Sequence, residues 1–315
     1  MIAFHDPFAR PLHQLGLELV FFGCAALTLR HALRDRRSTF QWLVAFCYGL
    51  WMELIALSFL DNYQHAKFTV QLYRDKLPLY VLALYPVFHY TGLKLAERFR
   101  APLAVEALLA GFVPFLMDVA FDLTGVGAGW WRWSTSDPNL ATRWLDVPVT
   151  SYYWYLLFGP AYALGCRAAW AISKSRAVYA LAPLAGALMI VLGALFFLPF
   201  HGLHALGVPD DAPVIAQLFL CALVAIVFAP REPEPAARSL VAVPLVLGAY
   251  LLLVMIAVAP PALGERVACA LLAAGGMLFV STPKEAPWTL ASRSRPIPPV
   301  GSPSASRTTS PPTRS

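Results

Sequence analysis

Apolar stretches of about 20 residues recur along almost the whole chain, and a helix of that length crosses the hydrocarbon core of a bilayer. Hydrophobic residues make up 58% of the 315 residues and charged residues only 13%, well below the roughly 25% typical of soluble domains. We therefore predict an all-α fold, a polytopic membrane helix bundle. About nine candidate spans lie at residues 14–33, 40–60, 77–96, 101–124, 148–171, 177–199, 212–230, 239–259 and 265–282.

The distribution of Lys and Arg predicts the orientation, because basic residues favour the cytoplasmic ends of spans. Basic residues follow the first, third and fifth spans and recur in the C-terminal segment. These segments fall on one side, which predicts a multi-pass cell-membrane protein with its N-terminus outside and its C-terminus cytoplasmic. Contact with anionic lipid headgroups then explains the net charge of +6, and no nucleic-acid partner is expected.

The chain divides by composition into two parts. Residues 1–282 form the predicted integral membrane helical domain. From Pro283 onward Ser, Pro, Thr and Arg predominate, and such a composition cannot bury a core. Residues 283–315 are therefore predicted to be a disordered cytoplasmic tail.

No metal site and no cofactor are predicted. The five cysteines are isolated, without a C-x-x-C pair. His65, His201 and His204 fall on the predicted outer side near aspartates, but their spacing matches no strong ligand motif. Solvated loop residues or hydrogen-bonding roles are the simpler interpretation.

Two aspartates in the fourth span are the strongest candidates for catalysis. Pro114, Asp118 and Asp122 are spaced i, i+4, i+8 and share one helix face. Carboxylates are rare inside membranes, so an intramembrane acid is a functional hypothesis. Two such close carboxylates resist ionising together, so one should keep a proton. Alternatively, Asp122 caps the outer helix end while Asp118 satisfies a buried polar partner.

A weak parallel repeat in the first half adds a third acid, Glu53. Each of two units has an acidic span, an aromatic outer loop and a Pro-led return span beginning Leu77-Pro78 or Val147-Pro148. Parallel repeats can converge on one site. We expect the three acids to open onto one apolar cavity in the outer half of the bilayer, with spans six to nine as a supporting layer.

Aromatic side chains flank the acids in both units, and their ring faces stabilise a nearby cation by about 0.5 to 2 kcal/mol each when water is excluded. An interfacial aromatic belt is the alternative, and His89 could be a polar bridge between helices. The candidate substrate-binding residues are Trp130, Trp131, Trp133, Tyr152, Tyr153, Trp154, Tyr63, Tyr85 and His89.

These motifs resemble a known family. The run Asp118-x-x-x-Asp122, then Gly129-Trp130-Trp131-x-Trp133, then Val147-Pro148 and Tyr152-Tyr153-Trp154 resembles the second signature of the membrane carotenoid hydratases, the bisanhydrobacterioruberin and carotenoid 1,2-hydratase family. Glu53 and the segment after it resemble the first signature. The similarity covers residues 40–170, and departures such as Leu123 and Tyr153 mark a divergent member.

The resemblance implies acid-catalysed chemistry on an apolar isoprenoid or carotenoid substrate drawn from the membrane lipid. Asp118 or Asp122 would protonate a terminal alkene to a tertiary cation, the aromatic rings would stabilise it, and water activated by Glu53 or the partner Asp would give an alcohol. The same cation could instead close a ring, so hydratase and cyclase both remain open. A proton-coupled transporter or lipid-binding protein is the non-enzymatic alternative.

Overall fold

The helices account for most of the computed structural model, which describes residues 2–172, 175–228 and 237–281. The α-helices are α1 Leu12–Ala32, α2 Arg36–Ile55, α3 Leu79–Tyr85, α4 Thr91–Glu97, α5 Leu103–Gly127, α6 Val149–Ile172, α7 Ala182–Ala205, α8 Asp211–Phe228, α9 Arg238–Val258 and α10 Leu263–Ser281. π-Helical turns at Ala56–Leu60 and Pro86–Tyr90 extend α2 and join α3 to α4. The predicted all-α helical bundle is confirmed.

Within the described residues, seven helices are long and apolar enough to cross a membrane, which indicates a multi-pass membrane protein. They are Leu12–Ala32, Arg36–Leu60, Leu103–Gly127, Arg176–Ala205, Asp211–Phe228, Arg238–Val258 and Leu263–Ser281. The third and fifth predicted spans correspond to α3–α4 and α6, which fall outside this set. A π-helical turn interrupts the former, and the latter is rich in tyrosine and tryptophan.

Seven short strands, one at the N-terminus and three after each of α2 and α5, form three small antiparallel sheets in the described residues. The strands are β1 Ala3–Phe4, β2 Tyr63–His65, β3 Val70–Leu72, β4 Leu77–Pro78, β5 Trp131–Trp133, β6 Arg143–Trp144 and β7 Val147–Pro148. The sheets pair β1 with β3 and β3 with β4, β2 with β5, and β6 with β7. Tyr63 lies opposite Trp133 and His65 opposite Trp131, so the two aromatic loops form one ribbon.

The helix α5 is the centre of the bundle, because it packs against α4, α6, α8, α9 and α10. Small residues and prolines fit together where it crosses its neighbours. Gly92 of α4 faces Pro114, and Gly159 of α6 faces Gly111 so closely that a Cβ on Gly159 would lie 2.2 Å from the Gly111 Cα. These close crossings bring Asp122 near the residues of α6.

The hairpin before α6 shows why the chain turns sharply there. Leu145 and Asp146 both have positive φ, at 50° and 70°, as a two-residue type I′ hairpin loop requires. Arg143–Trp144 and Val147–Pro148 pair on either side. In the first unit, three consecutive positive-φ residues likewise precede Leu77–Pro78. The helix after each hairpin, α3 or α6, therefore begins directly after a two-residue strand that ends in proline.

The described residues all fall within one compact unit, Met1–Lys284. The predicted tail at residues 283–315 lies outside the described residues.

Candidate active site

A cavity of about 470 Å³ lies between α2, α3, α5, α6 and α7, beside the ribbon of β2 and β5. Its walls are mostly apolar and aromatic. Glu53 of α2 and Asp122 of α5 both line it. This volume falls in the range of small-molecule sites, and it is sufficient for one end of a long polyene.

Asp122 is the acid that α5 contributes to the cavity. Its side chain is 4% exposed, and the Ser151 hydroxyl donates to its Oδ2 at 2.7 Å. Asp122 lies one turn before the end of α5 at Gly127, so it does not cap that end. The structure thus gives Asp122 a single protein donor and leaves the carboxyl group free to meet a ligand.

Asp118 lies one turn deeper and does not line the cavity, which corrects the expectation that all three acids open onto it. The residue is fully buried, and no side chain or backbone group among the described residues forms a hydrogen bond of standard geometry with either carboxyl oxygen. The Tyr155 phenol is a polar neighbour. An ionised group without donors would be costly there, so Asp118 is suited to the neutral acid form.

Glu53 has a different environment, with two phenol donors. The Tyr85 hydroxyl donates to Oε1 at 2.7 Å and the Tyr63 hydroxyl to Oε2 at 2.8 Å. His65 Nε2 lies 3.9 Å from Oε2. Desolvation of the part-buried Tyr63, followed by the charge of Glu53, raises the pKa of that phenol well above its ordinary value. Tyr63 therefore keeps its proton and remains a donor to Glu53.

Five of the predicted binding residues form an aromatic wall of the cavity. Tyr63, Tyr85, Trp131, Trp133 and Trp154 line the cavity. Trp131 and Trp133 both reach the cavity because residues two apart on a strand share a face. The residue between them, Arg132, is exposed. The rings also contact one another, with centroids 5.5 Å apart for Tyr63 and Trp133.

Four other predicted binding residues lie away from the cavity. Trp130 precedes β5, is fully buried, and donates from Nε1 to His13 Nδ1 at 2.8 Å. Tyr152 stacks on Trp144. Tyr153 packs against Phe197 and Phe200. His89 is buried among the rings of Tyr48, Tyr85, Tyr155 and Tyr162, and its nitrogens have no protein partner.

Helical periodicity explains why Trp154 of α6 lines the cavity while Tyr152 and Tyr153 do not. Ser151, Trp154, Tyr155 and Phe158 line the cavity, and this i, i+3, i+4, i+7 spacing defines one helix face. The positions of Tyr152 and Tyr153 fall outside that face. The spacing is visible in the sequence, and it would have identified Ser151 and Tyr155 as lining residues.

The helix α7 also contributes to the cavity, through Ile190, Ala194, Phe197 and His201. The expectation that spans six to nine are only a supporting layer is therefore wrong for the sixth. An apolar helix gives no sequence signal of a binding role, because apolar lining residues resemble lipid-facing ones.

The histidines considered for a metal are separated. His65 and His201 line the cavity, whereas His204 Nδ1 lies 2.6 Å from Asp210 Oδ1 in a part-buried pair. Among the described residues, no three His, Cys, Asp or Glu side chains are grouped to hold a metal ion.

Arg266 of α10 connects the end of α5 to the hairpin before α6. Its buried guanidinium donates to the carbonyl of Leu123 at 2.9 Å and to the Asp146 carboxylate. Leu123 directly follows Asp122, and the hairpin leads into the helix that carries Ser151. Arg266 therefore positions both members of the Asp122–Ser151 hydrogen bond.

A family described as a domain of unknown function, DUF7802, matches residues 11–205, which is more than half of the chain. The chain belongs to the DUF7802 family. No curated protein and no solved structure matches it. All residues that line the cavity fall within the DUF7802 region, while α8, α9 and α10 lie beyond it. The candidate site is thus a feature of the family domain, supported by α10 from outside.

Proposed function

We propose that this protein is an integral-membrane enzyme that protonates a terminal alkene of an acyclic isoprenoid or carotenoid and adds water to the resulting tertiary cation. The proposal rests on one observation: a buried carboxyl group, Asp122, meets an aromatic cavity that also holds a second acid, Glu53. The resemblance of the residue pattern to membrane carotenoid hydratases is consistent with it. Ring closure by the same cation is the neighbouring outcome.

The three acids have separate proposed roles. Asp122 donates the proton to the alkene, because it lines the cavity and has one hydroxyl partner. Asp118, one turn away and without donors, stays neutral and limits the charge beside Asp122. Glu53, held by two phenols, accepts a proton from the attacking water. One proton enters the alkene and one leaves the water, so the proton on Glu53 must return to Asp122, the other acid of the same cavity, to complete the cycle.

The cation formed in this way needs stabilisation without water. Trp131 and Trp133 of the ribbon and Trp154 of α6 present rings to the same cavity. Their negative ring faces favour a carbocation. Phe121, Phe158 and Phe197 complete the apolar lining and exclude water from positions other than the Glu53 side.

We also infer nine membrane spans, with α3–α4 and α6 crossing in addition to the seven apolar helices. An odd number puts the two termini on opposite sides, and the distribution of Lys and Arg favours an N-terminus outside and a C-terminus in the cytoplasm. The repeated order of acidic helix, ribbon strand, hairpin and return helix supports a parallel repeat. Asp122 and Glu53 both lie close to the ribbon ends of their helices, which supports the proposal that the chemistry takes place in the outer half of the bilayer.

The proposal is tested by incubating membranes that contain the protein with lycopene in heavy water, followed by mass analysis. Hydration adds one oxygen and one carbon-bound deuterium. Cyclisation adds no oxygen and changes mass only by exchange. Unchanged lycopene, with the folded protein present, favours a transporter or a lipid-binding protein instead.

Substitution of Trp131 tests cation stabilisation. Trp131→Phe retains a ring face and Trp131→Leu does not, while both remove volume. We expect the Leu variant to turn over about two- to thirtyfold more slowly than the Phe variant, the range that corresponds to a single cation–π contact. Initial rates are compared after both variants show the same thermal midpoint. Equal rates would mean that Trp131 contributes only packing.

A further inference from the structure

Four residues that line the cavity, Asn62, His65, Tyr80 and Trp133, are named the polar wall here. Asn62 Oδ1, both ring nitrogens of His65, the Tyr80 hydroxyl and Trp133 Nε1 are buried and have no hydrogen-bond partner among the described residues. Buried polar atoms without partners are rare in folded proteins and call for an explanation. The proposed hydratase chemistry uses the ring face of Trp133 but none of these unpartnered polar atoms.

The polar wall lies beside Glu53. His65 Nε2 is 3.9 Å from the Glu53 carboxylate, and the rings of His65 and Trp133 both contact Tyr63, which bonds to Glu53. The pairing of β2 with β5 holds Tyr63 opposite Trp133. Tyr80 comes from α3 and is fully buried. The wall is thus built from both aromatic loops and a helix rather than from one flexible segment.

The atoms of the polar wall differ in whether they donate or accept a hydrogen bond. The indole N–H of Trp133 can only donate, and the amide oxygen of Asn62 can only accept. A neutral His65 and the Tyr80 hydroxyl can do both. An ammonium group has no acceptor for Trp133, and a ketone has no donor for Asn62. A hydroxyl group satisfies both kinds of partner.

Charge excludes anionic ligands. Glu53, Asp122 and Asp137 line the cavity, and no Lys or Arg occurs among the described lining residues. A phosphate or diphosphate would meet carboxylates without a cationic partner, which is unfavourable in a low-dielectric site. The polar wall therefore suits an uncharged group.

We propose that the polar wall binds a neutral hydroxyl group of the ligand, so that a long apolar alcohol binds more tightly than the corresponding hydrocarbon. This inference rests on the proposed function, in that the apolar remainder of the ligand occupies the aromatic side of the cavity. A water molecule offers the same donor and acceptor chemistry as an alcohol. The experiment therefore distinguishes a ligand hydroxyl from water.

Four probes with one C20 isoprenoid chain test the inference: geranylgeraniol, the hydrocarbon without its hydroxyl, the corresponding amine and the diphosphate. Binding to the full chain in lipid nanodiscs is measured by displacement of a fluorescent polyene, with partitioning into empty nanodiscs subtracted. We expect the alcohol to bind at least tenfold more tightly than each of the other three. Several hydrogen bonds contribute to this preference, each accounting for about three- to tenfold.

Single substitutions in the polar wall test which residues give the preference for the alcohol. Tyr80→Phe removes one hydroxyl and should reduce the preference for alcohol over hydrocarbon about three- to tenfold, and Asn62→Leu should act similarly. Tyr152→Phe is the matched control, because it removes the same atom from a buried tyrosine outside the cavity, and it should leave the preference unchanged.

The outcomes separate this inference from the proposed reaction. Equal binding of alcohol and hydrocarbon, with Tyr80→Phe slowing turnover only, means that the wall holds water and overturns the inference. Tighter binding of the amine or the diphosphate also overturns it, as does no binding of any probe. A preference for the alcohol without any conversion of lycopene supports the inference. That result counts only against the proposed acid chemistry.

Discussion

Asp122→Asn is expected to lower turnover of the polyene by at least about a hundredfold, the usual minimum contribution of a general acid. The amide keeps the size of the side chain and can still accept from Ser151, which donates at 2.7 Å in the parent. It cannot supply a proton to the alkene. The measurement is deuterium and oxygen incorporation into lycopene by membranes that carry equal amounts of folded protein.

Two comparisons make this result specific. Asp137→Asn changes a carboxylate to an amide in the same cavity, but Asp137 binds the backbone N–H of Asn139, a role that asparagine also fills. This variant should keep most of the activity. Asp118→Asn should slow turnover less than Asp122→Asn, because Asp118 does not reach the cavity. Conversion at the parental rate by Asp122→Asn would falsify the assignment of Asp122 as the acid.

Gly159→Ala is expected to have the largest effect on folding. A Cβ at this position would lie 2.2 Å from the Gly111 Cα and 2.5 Å from the Ala110 carbonyl oxygen. Both are backbone atoms, so relief requires α5 and α6 to separate. Overpacking of this kind costs about 1 to 3 kcal/mol or more, and separation would also move Ser151 away from Asp122. A lower thermal midpoint in detergent, accompanied by reduced yield from membranes, is the expected observation.

Gly165→Ala is the matched control on the same helix. Its Cβ would meet Met189 Cγ at 3.6 Å, an ordinary van der Waals distance to a flexible side chain. Replacing a helical glycine by alanine is favourable by roughly 0.5 to 1 kcal/mol, so this variant should be as stable as the parent or slightly more so. Equal midpoints for the two variants would show that the crossing of α5 and α6 is less tight than described.

Sequence patterns located parts of the site where the chemistry is local. An acid within an apolar helix is conspicuous in a sequence, and Glu53 and Asp122 both line the cavity. The aromatic strand residues Trp131 and Trp133 follow from their alternation. The polar wall gave no such signal, because Asn62 and His65 resemble ordinary loop residues until β2 pairs with β5 and their polar atoms become buried.

The sequence by itself determined that the chain is a bundle of apolar helices and that few carboxyl groups lie within them, because hydropathy and charge act over one helix at a time. Tertiary structure decided which of these groups share a cavity. One helical turn separates Asp122, which lines the cavity, from the fully buried Asp118, and the approach of α5 to α6 at Gly111 and Gly159 sets that boundary. Such contacts depend on the register between helices, which arises only when side chains far apart in sequence pack together.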